Sequence, residues 1–295
     1  ASSFSHKNEI AKVGYYQVLL HDYNVNVELT SSARVGFHKY TFPKNKSAQI
    51  ILDLEHRDRL LSYEIEVVDS ITIQGLRYSD EWARNQKVHF YMQFSEPFEN
   101  IMFNNENTKA GIVFGKLKTP LSIKVGISAV SKQGAEKNLV AEIPHWDFEK
   151  VKTSNQDSWS KALSKIQVED DSEINKEIFY TALYHSLLAP NLYVDVDSSY
   201  NGMDLKQHKA NDEHYTIFSL WDTFRATHPL FTIIEQKKTN EFIRTLLRQF
   251  QDGGRLPIWE LAANYTNCMI GYHAIPVIVD AYIKGIRNYD VDLAL

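Results

Sequence analysis

The 295 residues predict two domains of different class, an antiparallel β-sandwich followed by a helical domain. Up to about residue 150, apolar residues alternate with polar ones, which is typical of strands with one buried face. From there onwards, apolar residues recur every three or four positions, which is typical of amphipathic helices. We therefore predict a sandwich over residues 1–150 and a helical domain over residues 151–295.

About nine or ten short strands are predicted in the first domain. Val25, Val27 and Leu29 alternate with polar residues, and the same alternation recurs further along. The other alternating stretches are 63–67, 71–74, 90–94 and 121–127. Turn residues such as those at 43–45 separate them. This number of strands is enough for two sheets packed face to face.

Helices are predicted in the second domain at 158–167, 173–188, 242–250 and 275–286. Gly253 and Gly254 predict the end of the third of these helices. Residues 191–215 are polar and aperiodic, which favours a functional loop. The five or six helices of this domain are about half of what a closed ring of paired helices needs, so we predict part of a ring.

Composition and charge exclude several classes of protein. The net charge is -5 and no block of five or six like charges occurs, which argues against a nucleic-acid partner or an anionic membrane surface. No apolar run is long enough to span a membrane. Cys268 is the single cysteine, so an intrachain disulfide and a Cys-rich zinc site are excluded. The first six residues lack the basic and apolar regions of a signal peptide.

Three segments of the helical domain combine aromatic residues with charged neighbours, at 219–230, 253–260 and 265–273. Sugar sites need aromatic rings for the apolar face of a sugar and charged groups for its neighbouring hydroxyls. We therefore expect these segments to line one end of the helical ring and to bind a sugar. The candidate substrate-binding residues are Trp221, Asp222, Arg225, Trp259, Glu260, Cys268, Met269 and His273.

Together with the upstream segments 14–16, 27–30 and 34–43, these three segments closely resemble glycoside hydrolase family 92 over essentially the whole chain. The resemblance implies a β-sandwich followed by an (α/α)6-barrel catalytic domain, of which this chain would hold the first part. It also implies a calcium-dependent, inverting, exo-acting α-mannosidase that removes terminal α-linked mannose from oligosaccharides or glycoprotein glycans, as in N-glycan degradation. Family members are usually exported by bacteria, so the expected location is the periplasm, the cell surface or the exterior.

The family's Trp-Asp-Thr stretch matches Trp221, Asp222 and Thr223, and the resemblance implies that Asp222 binds hydroxyls of the terminal mannose. The family's general acid, general base and principal calcium ligands lie in a later part of the barrel, and no segment of this chain matches them. We therefore expect the catalytic residues and the calcium ligands beyond residue 295, in the missing C-terminal half of the barrel. The residues 1–295 alone are predicted to be inactive.

Several of these candidate site residues also have a simpler, purely structural interpretation. Asp222 and Arg225 are three positions apart on a helix, which also favours a local salt bridge. Trp221 and Trp259 are equally compatible with a protein core, and Cys268 with a small buried apolar residue.

Two alternative functions remain open. In the first, the sandwich alone is a carbohydrate-binding module that uses exposed rings such as Tyr15, Tyr16 and Tyr91. In the second, the chain is a structural fragment whose apolar half-ring surface pairs with another segment or another copy.

Overall fold

The computed structural model describes residues 2–295. These residues divide into two compact units. The first unit comprises the residues up to Asp80 together with Lys87–Lys161. The second unit comprises Glu81–Gln86 together with Ala162–Leu295.

Between residues 2 and 161 the structure has eleven strands, which form two antiparallel sheets. The strands are β1 (Glu9–Lys12), β2 (Tyr15–Leu20), β3 (Val25–Ser31), β4 (Val35–Thr41), β5 (Ala48–Asp53), β6 (Arg59–Asp69), β7 (Thr72–Asp80), β8 (Gln86–Phe94), β9 (Asn100–Phe103), β10 (Lys109–Gly115) and β11 (Leu121–Ser128). The larger sheet has the order β1-β2-β3-β4-β11-β8-β7-β6, and the smaller has the order β5-β10-β9. The four-residue strands β1 and β9 are too short to show a period in the sequence.

The apolar core of the first unit lies between the two sheets. Ile112 on β10 and Ile73, Phe94 and Ile123 on the larger sheet are all at most 2% exposed and belong to one cluster. Burial alternates residue by residue along β10, as expected of a strand with one buried face.

Two helices cover the other face of the larger sheet, α1 (Lys132–Glu142) and α2 (Phe148–Leu163). Helix α1 packs so closely that a Cβ on Gly126 would lie 2.3 Å from the Ala135 carbonyl oxygen. Phe148 and Val151 on α2 pack in the same cluster as Phe37. The boundary predicted at residue 150 therefore falls inside the first unit, because the start of α2 packs with the strands.

Tyr15, Tyr16 and Tyr91 are expected to be exposed if the sandwich is a carbohydrate-binding module. All three pack against other residues of the first unit instead. Tyr15 is 8% exposed and its ring meets the Phe148 ring edge-on at 6.5 Å. Tyr91 packs against the cluster that contains Phe37, and Tyr16 packs against the cluster of Val18, Val25 and Val27.

The second unit is built from helices and short strands. The helices are α3 (Glu173–Ser186), α4 (Leu220–Thr223), α5 (Thr227–Ile234), α6 (Gln236–Gly253), α7 (Ala274–Ile283) and α8 (Val291–Ala294). The strands are β12 (Asn191–Leu192), β13 (Ser199–Asn201), β14 (Gln207–Lys209), β15 (Tyr215–Thr216), β16 (Phe218–Ser219), β17 (Trp259–Leu261) and β18 (Asn264–Tyr265). An antiparallel, sheet-rich domain followed by a helical region confirms the predicted fold class.

Helix α6 carries the core of the second unit. Phe242 and Leu246 pack with α5 and α7 residues in one cluster, while Ile243 and Leu247 belong to a second. The helix ends at Gly254, whose φ of 77° is left-handed, so the predicted glycine stop is confirmed.

Residues 191–215 differ from the predicted aperiodic loop. They form β12, β13 and β14 and enter β15: the β13–β14 hairpin lies in the chain between the paired strands β12 and β15, and these strands have two or three residues each. The Tyr200 ring of β13 stacks on the ring of His214, the residue before β15, with 3.9 Å between the ring centres. This contact packs the two strand pairs against each other. Strands of this length are too short to be recognised from alternation.

None of the helices between residues 2 and 295 has the length and apolar character needed to cross a membrane.

Candidate functional site

A small three-stranded sheet joins two of the tryptophan-containing segments. Strand β16 pairs with β17, and β17 pairs with β18. Ser219 is the partner of Trp259 in this register. Because α4 begins directly after Ser219, the sheet places Trp221 and Asp222 close to the backbone of Trp259.

Asp222 presents its carboxylate at the surface of α4. The Ser219 hydroxyl donates a hydrogen bond to Oδ2 of Asp222. The Thr223 hydroxyl in turn donates to the Ser219 carbonyl at 3.0 Å. Oδ1 of Asp222 has no protein donor among residues 2–295, so it is available to accept from a ligand.

Arg225 does not form the local salt bridge with Asp222 that its spacing allows. Within residues 2–295 no ion pair joins the two side chains, and the Arg225 guanidinium instead lies 4.9 Å from the centre of the Phe224 ring. Trp221 is 41% exposed, so it is not a core residue of this unit.

The third predicted segment, 265–273, contacts Phe224, the residue directly after α4, through His273. The His273 ring lies 4.4 Å from the Phe224 ring, centre to centre. Its Nδ1 atom is buried without a hydrogen-bond partner among the described residues. A buried polar atom without a partner is costly, so this nitrogen marks a position where a ligand or a water would be favourable.

Thr266 links the backbone of Trp259 to the backbone of Cys268, the residue before Met269. The Thr266 backbone and hydroxyl both donate to the Trp259 carbonyl, at 3.2 and 3.0 Å. The Cys268 N–H donates to the Thr266 hydroxyl at 3.3 Å. Cys268 is half-buried and Met269 is 46% exposed, and their contact with a sugar stays a prediction.

Glu260 turns inward and is 1% exposed. One carboxylate oxygen accepts from the Thr216 hydroxyl at 2.8 Å and from the Ala263 N–H at 2.7 Å. The other accepts from the Ile217 N–H at 3.0 Å. Burial raises the pKa of Glu260 to about 7, although these hydrogen bonds oppose the shift.

The network around Glu260 supports the backbone that leads to Asp222. Ile217 has a φ of 66°, a left-handed value that is unfavourable for a β-branched residue. Because Ile217 lies two residues before Ser219, the hydrogen bond from its N–H to Glu260 holds the approach to α4 in place. The geometry of Glu260 is therefore that of a positioning residue, and its predicted contact with substrate is untested.

A cavity of about 80 Å³ lies beside this sheet. It is lined by Ala189, Pro190, Ile217, Phe218, Ser219, Thr223, Thr227, His228 and Trp259. Burial lowers the pKa of His228 to about 4, so its imidazole is neutral at pH 7. Thr223 and Thr227 lie within the predicted segment 219–230, but no pattern in the sequence singles out their hydroxyl groups as cavity-lining.

Sequence reasoning also missed Trp82. Its ring lies 4.7 Å from the Trp259 ring, and both residues belong to the second unit. A lone tryptophan among predicted strands gives no sign of this contact.

The implied calcium ion does not fit the side chains of this chain. Among residues 2–295, no three or more His, Cys, Asp or Glu side chains are close enough to hold a metal ion together. We therefore derive no chemical step through a metal from these residues.

Comparison with known proteins identifies the family. The Glycosyl hydrolase family 92 N-terminal domain matches residues 1–140, and the Glycosyl hydrolase family 92 catalytic domain matches residues 134–295. A curated relative, an uncharacterized secreted glycosidase from Arthroderma benhamiae, is 29% identical over 181 residues, which are 60% of this chain and 19% of that protein.

Solved structures share the whole described fold. A family GH92 alpha-mannosidase from Bacteroides thetaiotaomicron is 30% identical with a TM-score of 0.93, over 99% of this chain and 43% of that chain. The same enzyme is known in complex with mannoimidazole. A family GH92 inverting mannosidase from the same organism is 24% identical with a TM-score of 0.90, over 99% of this chain and 42% of that chain.

The chain thus spans less than half the length of these relatives. The two family matches together extend from residue 1 to residue 295 and correspond to the sheet-rich domain and the helical region described above. The chain belongs to glycosyl hydrolase family 92.

Proposed function

We propose that residues 1–295 form the sandwich domain and the first part of the barrel of an α-mannosidase, and that they supply part of the pocket for a terminal α-linked mannose. The observation that carries this proposal is the open carboxylate of Asp222, set beside Trp221 and Trp259 by the β16–β17 pairing. The 30% identical relative that is known with mannoimidazole supports a mannose-like ligand.

In this proposal each side chain has a defined task. The Asp222 carboxylate accepts hydrogen bonds from hydroxyls of the terminal mannose, and charge-assisted bonds of this kind are about twice as strong as neutral ones. The tryptophan rings pack against the apolar face of the sugar. Fixing the terminal sugar in this way positions the glycosidic bond for groups outside the 295 residues.

The reaction we propose is exo-acting hydrolysis with inversion. An inverting glycosidase places a carboxylic acid and a carboxylate about 6.5–9.5 Å apart across the scissile bond. We assign neither role to Asp222 or Glu260, and propose that residues beyond 295 supply both groups and the ligands of a calcium ion. When bound, that ion would hold the vicinal hydroxyls of the terminal mannose and favour a distorted sugar ring.

Purified residues 1–295 are therefore expected to release no mannose from an aryl α-mannoside. The protein as its gene encodes it is expected to release mannose, and to lose this activity when a calcium chelator is added and regain it with added Ca²⁺. The reason is that general acid and base catalysis each contribute about 10²–10⁴-fold. Calcium-dependent turnover by the 295-residue chain would contradict the division of catalytic groups proposed here.

An exposed apolar face on α7 supports the proposal that a further segment of the protein packs against this helix. Ile275, Val279 and Ile283 lie on this helix with 50%, 47% and 73% of their surface exposed. We propose that the C-terminal half of the barrel covers this face, because the solved relatives are more than twice as long as this chain.

The purified 295-residue chain is accordingly expected to self-associate, as measured by light scattering after size exclusion. The double variant Val279→Lys with Ile283→Lys should shift it towards monomer, since two charges break the apolar face. Gln236→Lys with Gln251→Lys, at exposed polar positions on α6, serves as the control for added charge and should leave the association unchanged. A monodisperse monomer of the unaltered chain would contradict the proposal.

For location and substrate, we propose an exported enzyme that acts on mannose-containing oligosaccharides or glycoprotein glycans, including N-glycans. The similarity to a secreted glycosidase from Arthroderma benhamiae supports export. Release of mannose from an intact glycoprotein by culture supernatant or periplasmic extract, and its loss on deletion of the gene, tests both parts.

A further inference from the structure

Segment 81–86 belongs to the second unit, although β7 and β8 flank it in the chain. The buried side chain of Asn264 binds this segment. The Asn264 amide accepts from the Asn85 N–H and donates to the Asn85 carbonyl, both at 3.1 Å. The same amide also donates to the Ala262 carbonyl at 2.7 Å, which ties the segment to the turn between β17 and β18.

This attachment fixes Trp82 over Trp259. The two indole rings lie 4.7 Å apart with an angle of 46° between their planes. Trp259 is 9% exposed, whereas Trp82 is 50% exposed. One side of the Trp82 ring system is thus covered by an aromatic neighbour, while a large apolar surface remains open to solvent.

Trp82 is connected to the proposed mannose pocket through Trp259. Trp259 is the strand partner of Ser219, and the Ser219 hydroxyl bonds to Asp222. Trp259 also lines the cavity that contains Ser219 and Thr223. The contacts therefore lead from Asp222 through Ser219 and Trp259 to Trp82, which is the more exposed of the two tryptophans.

We propose that Trp82 is a substrate-binding residue that stacks on the sugar to which the terminal mannose is attached. An exposed indole on a firmly held segment suits the C–H face of a hexose, because little conformational entropy is lost on binding. The inference rests on the proposed function, since it requires that Asp222 and Trp259 hold the terminal sugar.

The test separates the terminal sugar from the next one in the protein as its gene encodes it. Mannoimidazole, a mimic of a single mannose, measures the terminal pocket through its Kd. An α-linked mannobiose measures both positions through kcat/KM. The variants are Trp82→Ala and Trp82→Phe, with Tyr282→Ala as a control for loss of an exposed ring on α7.

Trp82→Ala is expected to lower kcat/KM for mannobiose about tenfold, because a stacking contact is worth roughly one factor of ten in binding. The Kd for mannoimidazole should change by less than about twofold, and Trp82→Phe should recover most of the loss. Tyr282→Ala should match the unaltered enzyme with both ligands.

An unchanged kcat/KM for mannobiose in Trp82→Ala overturns the proposal. Equal losses for mannobiose and mannoimidazole also overturn it, because they indicate a disturbed terminal pocket. If the unaltered enzyme neither cleaves mannobiose nor binds mannoimidazole, the proposed function itself fails, and the inference fails with it.

Discussion

Replacing Asp222 by asparagine is expected to lower kcat/KM for an aryl α-mannoside about 10²–10³-fold in the protein as its gene encodes it. The physical reason is that an amide loses the charge that strengthens hydrogen bonds from two sugar hydroxyls. Because Asp222 is exposed on the surface of α4, the substitution should leave the folded structure intact. Steady-state kinetics together with thermal unfolding measure both effects.

A matched control separates sugar binding from a general loss of charge. Asp292 is an exposed aspartate in the first turn of α8 of the same unit. Asp292→Asn should keep the kinetic constants of the unaltered enzyme. A kcat/KM within threefold of the unaltered value in Asp222→Asn, with unchanged mannoimidazole affinity, would remove Asp222 from the pocket.

Replacing Glu260 by alanine is expected to reduce the free energy of unfolding by about 3–5 kcal/mol. The carboxylate accepts from the Thr216 hydroxyl and from the backbone N–H groups of Ile217 and Ala263, and alanine leaves all three buried donors without it. Urea unfolding followed by tryptophan fluorescence measures the loss. The exposed α3 residue Glu177 provides the control, because Glu177→Ala should change the value by about 0.5 kcal/mol or less.

Glu260 should also affect how the free energy of unfolding changes with pH. Burial raises the pKa of this carboxyl from an ordinary value of 4.5 to about 7, so the folded protein keeps a proton that the unfolded chain releases in this range. Its contribution to stability is therefore complete below about pH 4.5 and declines as the pH rises to about 7.

His228 has the opposite effect on the pH dependence of stability. Burial lowers its pKa from 6.5 to about 4, so the unfolded chain binds a proton that the folded protein excludes. Stability from this group rises with pH between about 4 and 6.5. The two slopes partly cancel in the unaltered protein, and only a comparison with a variant isolates Glu260.

Glu260→Gln is the variant for that comparison, because glutamine cannot ionise. The stability advantage of the unaltered protein over Glu260→Gln should shrink by roughly 2.5 kcal/mol between pH 5 and pH 8. A constant difference across this range would show that Glu260 titrates normally and that its burial does not shift its pKa.

Local patterns in the sequence were sufficient for the fold class and for the larger elements. The alternation in β3 and the apolar stripe of α6 depend only on neighbouring residues, and the structure confirms both. The glycine stop at Gly254 depends on a left-handed φ that glycine adopts without strain. The resemblance carried by Trp221–Thr223 and its neighbouring segments was likewise sufficient for the family.

The structure departs from the sequence predictions where the decisive contacts are distant or the elements short. The start of α2 was missed because Phe148 and Val151 pack on the sheet rather than within a helical stripe. The strand pairs within residues 191–215 were missed because strands of two or three residues show no period.

Residue types and short spacings in the sequence thus determined the class of each domain, the family, and Asp222 with its tryptophan neighbours as candidates. Only the tertiary structure decided that Glu260 points inward, because in a three-residue strand the direction of a side chain depends on its register with β16. It also decided that Trp82 lies over Trp259, through a contact between Asn85 and Asn264 that joins positions 179 apart in the chain. No local pattern encodes a pairing of that length, because it forms only when the whole unit is packed.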